Sequence, residues 1–241
     1  MIRGFYSARL GINAQQEHLN VIANNMANLS TVGFKGSRVS FADLMYQNIN
    51  RNTAENPAIV GHGVKINKTD LTMEQGALEA TGYHLDYAIT EEGQFFAVRD
   101  AAGDIYYTRA GNFILSRGDD DEYYLAAANG DRILSPDLED IPIAVDEEGA
   151  FEVDRDAIGV FAFNNPYGLL SVGNNRFMAT DVSGEAFVVE EPKIMAGYLE
   201  GSAVEIAQEM VKMIEASKAF SFNSRMVQVA DEVEQTINNL R

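Results

Sequence analysis

The 241-residue sequence contains no cysteine and no tryptophan, and it has only five prolines and three histidines. Without cysteine there can be no disulfide framework, no thiolate metal site and no cysteine nucleophile. The histidines, His18, His62 and His84, are far apart in the chain and share no metal-ligand spacing. We therefore predict that the protein binds no metal and no cofactor.

Signatures of common enzyme classes are also missing. The sequence has no G-x-S-x-G, no phosphate-binding loop of the Walker type and no dinucleotide fingerprint. The acidic run from Gly118 to Glu122 lacks the alternating acids of a calcium-binding loop, so we interpret it as a solvated hairpin tip. We predict no catalytic residues and no enzymatic activity.

Long apolar runs are absent as well. No stretch approaches the ~20 consecutive apolar residues of a membrane-spanning helix, so we expect no membrane insertion. The first residues, MIRGFYSARLGINAQQ, have neither a continuous apolar region nor a cleavage site of small residues. We therefore expect export, if it occurs, to proceed without a cleaved signal peptide.

Basic residues are scarce, and the resulting net charge of −18 is unevenly distributed. Residues 1–51 carry a net charge of +3, residues 52–199 carry −18 and residues 200–241 carry −3. An acidic surface repels phosphate backbones, so we predict no binding to nucleic acid. The ordinary role of such a surface is solubility.

Heptad-like apolar patterns are present at both ends of the chain. Near the N terminus the steps alternate between three and four residues, as in the seam of paired helices, and only Gln15 interrupts the series. The positions are Phe5, Ala8, Ile12, Gln15, Leu19, Ile22 and Met26. The pattern predicts one helix over residues 3–28, ~39 Å long.

The C-terminal end predicts a longer helix, because neither glycine nor proline occurs from Val204 to Leu240. Its apolar series slips by one position after Phe220, as at a discontinuity in a heptad seam. The series runs through Ile206, Met210, Met213, Ser217 and Phe220, and then Met226, Ala230, Val233, Ile237 and Leu240. Ser202 followed by Glu205 predicts a capping box at the start of this helix.

Two helices of this length cannot each bury an apolar stripe inside a small domain. We predict that they pair with each other as a coiled coil. Apolar residues off the seam would then need further partners, which other copies of the chain could supply; these residues are Leu10, Val211, Phe222 and Val229. Two ordinary core helices of a globular domain are the alternative interpretation.

The middle of the chain changes to a period of two, and turn residues separate short runs. Strands are predicted at 94–100, 104–109, 111–116, 121–127, 141–145 and 150–154, followed by apolar runs at 161–170 and 185–191. This spacing indicates an all-β sandwich or barrel-like body, so the predicted fold class is α+β.

The predicted organisation has three parts. Residues 1–36 and 200–241 form a terminal helical domain, residues 37–80 form a partly extended connection, and residues 81–199 form an acidic β domain. Within the connection, residues 37–47 fit either a short helix or an extended segment.

The stretch that follows the N-terminal seam is the most informative of the sequence. Residues 23–35 read ANNMANLSTVGFK, with three asparagines in five residues. This stretch closely resembles the signature of the bacterial flagellar rod and hook axial family, roughly A-N-N-[LIM]-A-N-x-[ST]-T-x-G-[FY]-[KR]. The matching positions are Ala23, Asn24, Asn25, Met26, Ala27, Asn28, Ser30, Thr31, Gly33, Phe34 and Lys35.

Three more stretches carry the resemblance into the rest of the chain. Residues 85–98 resemble the strand pair that opens the family's β domain, and residues 107–113, YTRAGNF, resemble its Y-T-R-x-G-x-F hairpin. Residues 197–204, GYLEGSAV, resemble the start of its C-terminal helix. The likeness is to rod members with a single β domain, of the distal-rod type first and of the proximal-rod type second.

The resemblance implies a structural subunit of the flagellar basal-body rod, the drive shaft that transmits torque to the hook. It implies export through the flagellar type III apparatus and helical assembly in the periplasm. The implied partners are copies of the same chain and other rod, hook and ring proteins. In such an assembly the terminal helices line the inner tube as coiled coils, residues 23–35 serve assembly, and the β domain faces outward.

A second interpretation of the residues themselves remains open. A soluble enzyme, or a carbohydrate-binding β module on a helical stalk, would share the same element pattern. It would require a cleft with convergent polar groups.

Overall fold

Two long helices lie at the ends of the chain, with short strands between them. A computed structural model describes residues 3–48, 59–118, 122–143 and 153–240. The helices are α1 (Arg3–Ala27) and α2 (Ile206–Asn239), within two residues of the predicted limits. The long apolar periodicity at each end was therefore sufficient to locate them.

The strands are short, as the turn residues between them require. They are β1 (Ser37–Asp43), β2 (Gln47–Asn48), β3 (Ile59–Val60), β4 (Val64–Leu71), β5 (Leu78–Ala80), β6 (Tyr87–Ile89), β7 (Gln94–Arg99), β8 (Ile105–Thr108), β9 (Phe113–Arg117), β10 (Tyr123–Ala127), β11 (Arg132–Ile133), β12 (Pro142–Ile143), β13 (Val160–Ala162), β14 (Leu170–Gly173), β15 (Arg176–Met178), β16 (Phe187–Val188), β17 (Ile194–Ala196) and β18 (Tyr198–Glu200). Most of the strand predicted at 150–154 lies outside the described residues.

The capping box predicted at Ser202 is wrong. The helix begins three residues later, with Glu205 in the N-cap position and no hydrogen bond from its side chain to the cap. The backbone at Ala203 is not yet helical, and its N–H donates to the carbonyl of Phe34 at 3.0 Å. The Ser202 hydroxyl instead accepts a hydrogen bond from the N–H of Val204 at 3.3 Å.

The chain divides into two compact units. Unit 1 comprises residues 1–27, 37–70 and 205–241, and unit 2 comprises residues 28–36 and 71–204. In unit 1, α1 packs against α2 and against β1, and β1 pairs with β4. The segment 37–47, which fitted either a helix or an extended strand, thus begins as a strand.

Within the described residues, unit 2 contains a ten-stranded antiparallel sheet with β7 near its centre. Alternate side chains of β7 enter two separate core clusters: Phe96 and Val98 lie in one, Phe95 and Ala97 in the other. Because successive residues of a strand point to opposite faces, β7 is buried on both sides. The middle of its sequence, FFAV at residues 95–98, is therefore a continuous apolar run.

The unit boundaries differ from the predicted division in two segments. Residues 28–36 lie in unit 2 rather than with the helices, because the side chain of Lys35 is bound inside that unit. Residues 37–70 lie with the helices rather than between the two units, because β1 packs on α1. As a division by role in an assembly, the three predicted parts remain a prediction.

The net charge differs more clearly between the two units than between the N-terminal, middle and C-terminal segments of the sequence. Unit 1 contains ten Lys/Arg and ten Asp/Glu residues, which gives a net charge of zero. Unit 2 contains eight Lys/Arg and twenty-six Asp/Glu residues, so the entire net charge of −18 lies in this unit.

Candidate functional site

The asparagine-rich stretch at the end of α1 places one of its asparagines inside unit 1. Asn25 is buried, and its Nδ2 donates to the carbonyl of Ser37 at 2.8 Å and to Oε2 of Glu209 at 3.2 Å. Its Oδ1 accepts from the Ser37 N–H at 2.9 Å. One amide, able to donate and accept together, thus joins α1, β1 and α2.

The carboxylate that Asn25 meets is itself buried on α2. Oε1 of Glu209 accepts from Nζ of Lys212 at 2.6 Å, one helical turn further on. Asn24 is exposed on α1. After the helix, Oδ1 of Asn28 accepts from the Thr31 hydroxyl at 3.1 Å, which shapes the turn that leaves α1.

The end of the same stretch belongs to a buried ionic cluster in unit 2. Nζ of Lys35 lies 2.7 Å from Oε1 of Glu200, and Nε of Arg109 lies 2.7 Å from Oε2 of Glu200. All three side chains are at most 2% exposed. One carboxylate therefore pairs with two cations in the interior, where an unpaired charge would be costly.

Backbone groups complete this cluster. Lys35 also donates to the carbonyl of Glu74 at 2.6 Å, and Glu200 accepts from the N–H of Gly76 at 3.0 Å. The guanidinium of Arg109 donates to three carbonyls, those of Glu91 at 2.8 Å, Gln94 at 2.7 Å and Ile89 at 3.4 Å. Burial lowers the pKa of Lys35, and the charge and hydrogen bond of Glu200 oppose this effect.

The backbone of Gly33 lies directly against the backbone of Arg109, close to the ionic cluster. Its φ is +64°, and an added Cβ would lie 2.6 Å from the carbonyl carbon of Arg109. Its N–H donates to the carbonyl of Glu200 at 2.7 Å. A glycine is needed here for two reasons, the left-handed backbone and the absence of space for a side chain.

The sequence stretches that carried the resemblance therefore meet in space. Lys35 ends the first, Arg109 lies in the YTRAGNF hairpin, and Glu200 lies in GYLEGSAV. The resemblance pointed to each stretch but did not predict their contact. Glu209 also lies in a stretch of the C-terminal helix that resembles the family, but its contact with Asn25 was not predicted.

The predicted seam residues of α1 and α2 differ in burial. On α1, Ile22 is buried, and Phe5, Ile12, Leu19 and Met26 are half-buried. On α2, Met213 and Phe220 are half-buried, and the others are exposed; these are Ile206, Met210, Val233, Ile237 and Leu240. The seam as a whole therefore remains a prediction, because one chain does not bury it.

A continuous apolar stripe on α2 is exposed. Its members, spaced by three or four residues, are Phe222, Met226, Val229, Val233, Ile237 and Leu240, each 44–84% exposed. Side chains at this spacing lie along one face of a helix. We call this set the α2 stripe.

Close packing between α1 and α2 relies on small side chains. The buried apolar residues of the two helices are Ala8, Ala14, Ile22, Ala216 and Ala230. At Gly11 an added Cβ would lie 2.7 Å from Nδ2 of Asn223. The helices approach closely, while most of the large apolar side chains of α2 are exposed.

Two further findings concern the described residues alone. They contain no group of three or more His, Cys, Asp or Glu side chains that could hold a metal ion. Within the same residues, neither helix is both long and apolar enough to cross a membrane.

Two family models match the ends of the chain. The model described as "Flagella basal body rod protein" matches residues 5–35, and the model "Flagellar basal body rod FlgEFG protein C-terminal" matches residues 195–240. Asn25, Lys35, Glu200 and Glu209 lie within these matches, whereas Arg109 lies between them.

Similarity to curated proteins extends over the whole chain. The flagellar basal-body rod protein FlgG of Borreliella burgdorferi is 35% identical over 271 aligned residues, which cover 100% of this chain and 99% of that protein. The chain belongs to the flagellar basal-body rod protein family. The FlgG proteins of Bacillus subtilis and of Buchnera aphidicola subsp. Schizaphis graminum are 34% and 32% identical, each with full coverage of both chains.

Membership of the rod family gives the function at a coarse level. The chain is a structural subunit of the flagellar basal-body rod and not an enzyme, as its sequence predicted. The distal-rod likeness is confirmed, since these relatives are all named FlgG. The alternative of an enzyme on a helical stalk is thereby excluded.

Proposed function

We propose that this chain assembles helically with copies of itself into the distal part of the rod and transmits torque to the hook. The exposed α2 stripe carries the proposal, because six apolar side chains at helical spacing are 44–84% exposed in a single chain. Exposed apolar patches of this size mark contact surfaces. In this proposal the α2 stripe of one chain contacts a different face of the next chain. A contact of this kind leaves a free surface at each end, so that further chains can add to a helical tube.

The same proposal gives roles to the remaining parts. The terminal helices pair as a coiled coil along the inner tube, and the predicted seam closes fully only when neighbouring copies supply the missing partners. The sheet of unit 2 closes as a sandwich or barrel-like body that faces outward. The acidic charge confined to unit 2 supports this, because a strongly charged surface favours contact with water.

Further partners and the location complete the proposal. The chain passes unfolded through the flagellar type III export apparatus, without a cleaved signal peptide, and assembles in the periplasm. There it contacts other rod, hook and ring proteins. Long helices whose apolar faces remain open before assembly are consistent with a chain that orders fully only among its neighbours.

The test is made in a flagellated cell that lacks its own copy of this gene. Wild-type chain should restore rods of normal length, whereas the double variant Phe222→Ser with Met226→Ser should be exported but absent from isolated basal bodies. The matched control is Gln228→Ser with Glu232→Ser, exposed residues at the same spacing on α2. Electron microscopy measures rod length, and quantitative blotting measures exported and incorporated chain.

Incorporation of the Phe222 and Met226 variant at the wild-type level would show that the α2 stripe does not carry assembly. Circular dichroism of the purified variants provides the fold control. Exposed positions contribute little to the stability of a single chain, so the four substitutions should leave its helix content unchanged.

A further inference from the structure

One hairpin of unit 2 exposes a set of apolar side chains that its own fold does not cover. These residues are Tyr167, Leu170, Val172, Met178 and Val182, each 39–70% exposed. They form the hairpin patch. Thr180 joins its two sides, because the Thr180 hydroxyl donates to the carbonyl of Gly168 at 2.6 Å.

The pairing of β14 with β15 fixes the outward direction of the patch. Leu170 and Met178 are paired residues, so their side chains lie on the same face. Phe177, the neighbour of Met178, is buried on the opposite face, against the ring of Phe95. A shift of register by one residue would expose Phe177, so the core holds Leu170 and Met178 outside.

The hairpin also ends the sheet. In the described part of the chain, β14 pairs with β15 alone and is the last strand in the order. Its residues, LSVG, include no charged residue and no proline, which are common devices against pairing at a sheet edge. The device that β14 does have is an irregularity of register between Ser171 and Gly173. Edge strands without such protection readily accept contacts from another chain.

The β14–β15 hairpin contains no acidic residue, although it belongs to a strongly acidic unit. Residues 157–180 contain no Asp or Glu, although unit 2 has twenty-six such residues in all. The single cation there, Arg176, is paired with Asp131 at 3.0 Å and Asp100 at 3.3 Å and stacks over Tyr106. Among the immediate sequence neighbours of the patch residues the one acid is Asp181, beside Val182, so the patch carries little of the negative charge of unit 2.

We infer that the hairpin patch is a contact surface for a second copy of this chain. Each copy carries the same −18 on unit 2, so two copies repel each other wherever their acidic surfaces meet. The acid-free hairpin avoids that repulsion and offers apolar area. A basic partner, by contrast, would bind where the acids are and not on this patch.

This inference rests on the proposed function and adds a second contact to it, on unit 2 instead of the α2 stripe. It predicts that charge of either sign at Leu170 disrupts assembly, since an apolar contact excludes both. A contact limited only by repulsion between acids would tolerate a lysine at this position, or be strengthened by it.

The test compares Leu170→Glu and Leu170→Lys with Ile114→Glu and Ile114→Lys in the cell that lacks its own copy of this gene. Ile114 is a matched control, because it is 46% exposed on β9 against 52% for Leu170 on β14. Both Leu170 variants should lower the incorporated fraction by about tenfold relative to exported chain. Both Ile114 variants should remain near wild type.

Three outcomes would overturn the inference while leaving the proposed function intact. The Leu170 variants could assemble like wild type, Leu170→Lys alone could assemble normally, or rods could form normally and lose only attached ring or hook proteins. Wild-type chain absent from basal bodies would instead reject the proposed function, and this inference with it. Thermal unfolding of the purified full-length variants is the control that tests whether unit 2 remains folded.

Discussion

The two units of this chain differ in how far they bury their large apolar side chains. Unit 2 buries its large side chains in two clusters around β7, including Phe95 and Phe96 at 1% and 0% exposure. On the helices of unit 1 the buried apolar residues are mostly alanines, and most of the large apolar side chains of α2 are exposed to solvent. Unit 2 is thus built to be stable in one chain, whereas unit 1 leaves much of its apolar area for other chains.

The units also differ in how they use buried charge. Unit 2 pairs Lys35 and Arg109 with one carboxylate, Glu200, deep in its interior. In the described part of unit 1, Asn25 and Glu209 are buried against each other, and the cation paired with Glu209 is the partly exposed Lys212. The comparison predicts large effects from single substitutions in unit 2 and smaller ones in unit 1.

The largest effect is expected for Glu200→Gln. The substitution leaves Lys35 and Arg109 buried without their counter-charge, and breaking such a group costs about 3–5 kcal/mol. Chemical denaturation followed by the tyrosine signal of unit 2 measures the loss. The matched control is Glu91→Gln, whose partner Lys193 at 2.7 Å is 72% exposed, and it should leave the transition unchanged. Equal midpoints for the two variants would contradict the role given to the cluster.

Gly33→Ala comes next. The substitution places a Cβ in a left-handed backbone and against the carbonyl of Arg109, for a combined cost of about 2–5 kcal/mol. Gly82→Ala separates the two causes, because Gly82 has a φ of +73° and nothing within 4 Å of an added Cβ. It should cost about 1–2 kcal/mol. If Gly82→Ala were as destabilising as Gly33→Ala in thermal unfolding, the close approach to Arg109 would be irrelevant.

Asn25→Ala tests the corresponding interior contact of unit 1. It leaves the Ser37 backbone and Glu209 without their amide partner, at a cost of about 1–3 kcal/mol. Asn20→Ala, an exposed position of α1, should change the stability by less than about 0.5 kcal/mol. The helical signal in far-ultraviolet circular dichroism reports both during urea unfolding. The comparison between the units fails if Asn25→Ala costs more than Glu200→Gln.

The smallest effect concerns pH and His18, whose ring packs edge-on against Phe41 at 5.3 Å. Burial lowers the pKa of His18 below 6.5; Glu209 and Glu215 oppose the shift, and Lys212 adds to it. The unfolded chain therefore takes up the proton more readily, and unit 1 loses stability as pH falls through 6.5 toward the lowered pKa. Unfolding at about pH 7.5 and about pH 5.5 should show a smaller difference for His18→Gln than for wild type.

The sequence was most informative where the signal is local. Apolar periodicity and the absence of glycine and proline located α1 and α2, and turn residues located the strands from Gln94 to Ala127. Each of these signals arises within a few helical turns or one hairpin. Such patterns do not depend on what the rest of the chain does.

Contacts between distant residues could not be predicted in the same way. Nothing local shows that Lys35 meets Glu200, or that Asn25 meets Glu209, since these partners are 165 and 184 positions apart. The resemblance to a family identified the stretches but not their contacts. Burial on α2 was also beyond the pattern, because many apolar positions exist and the helix buries Ala216 and Ala230 instead of its larger side chains.

The ionic cluster also limits when the interior of unit 2 can form. A chain made from its N terminus exposes Lys35 and then Arg109 long before Glu200 exists, with separations of 165 and 91 residues to that carboxylate. Until then both cations must remain hydrated, because burying them alone is unfavourable. The centre of unit 2 therefore closes only when residue 200 has been added, and a chain released before that point should remain open. The contact with Glu200 is therefore available only to a chain that includes residue 200, and in a chain that is exported unfolded it forms after export.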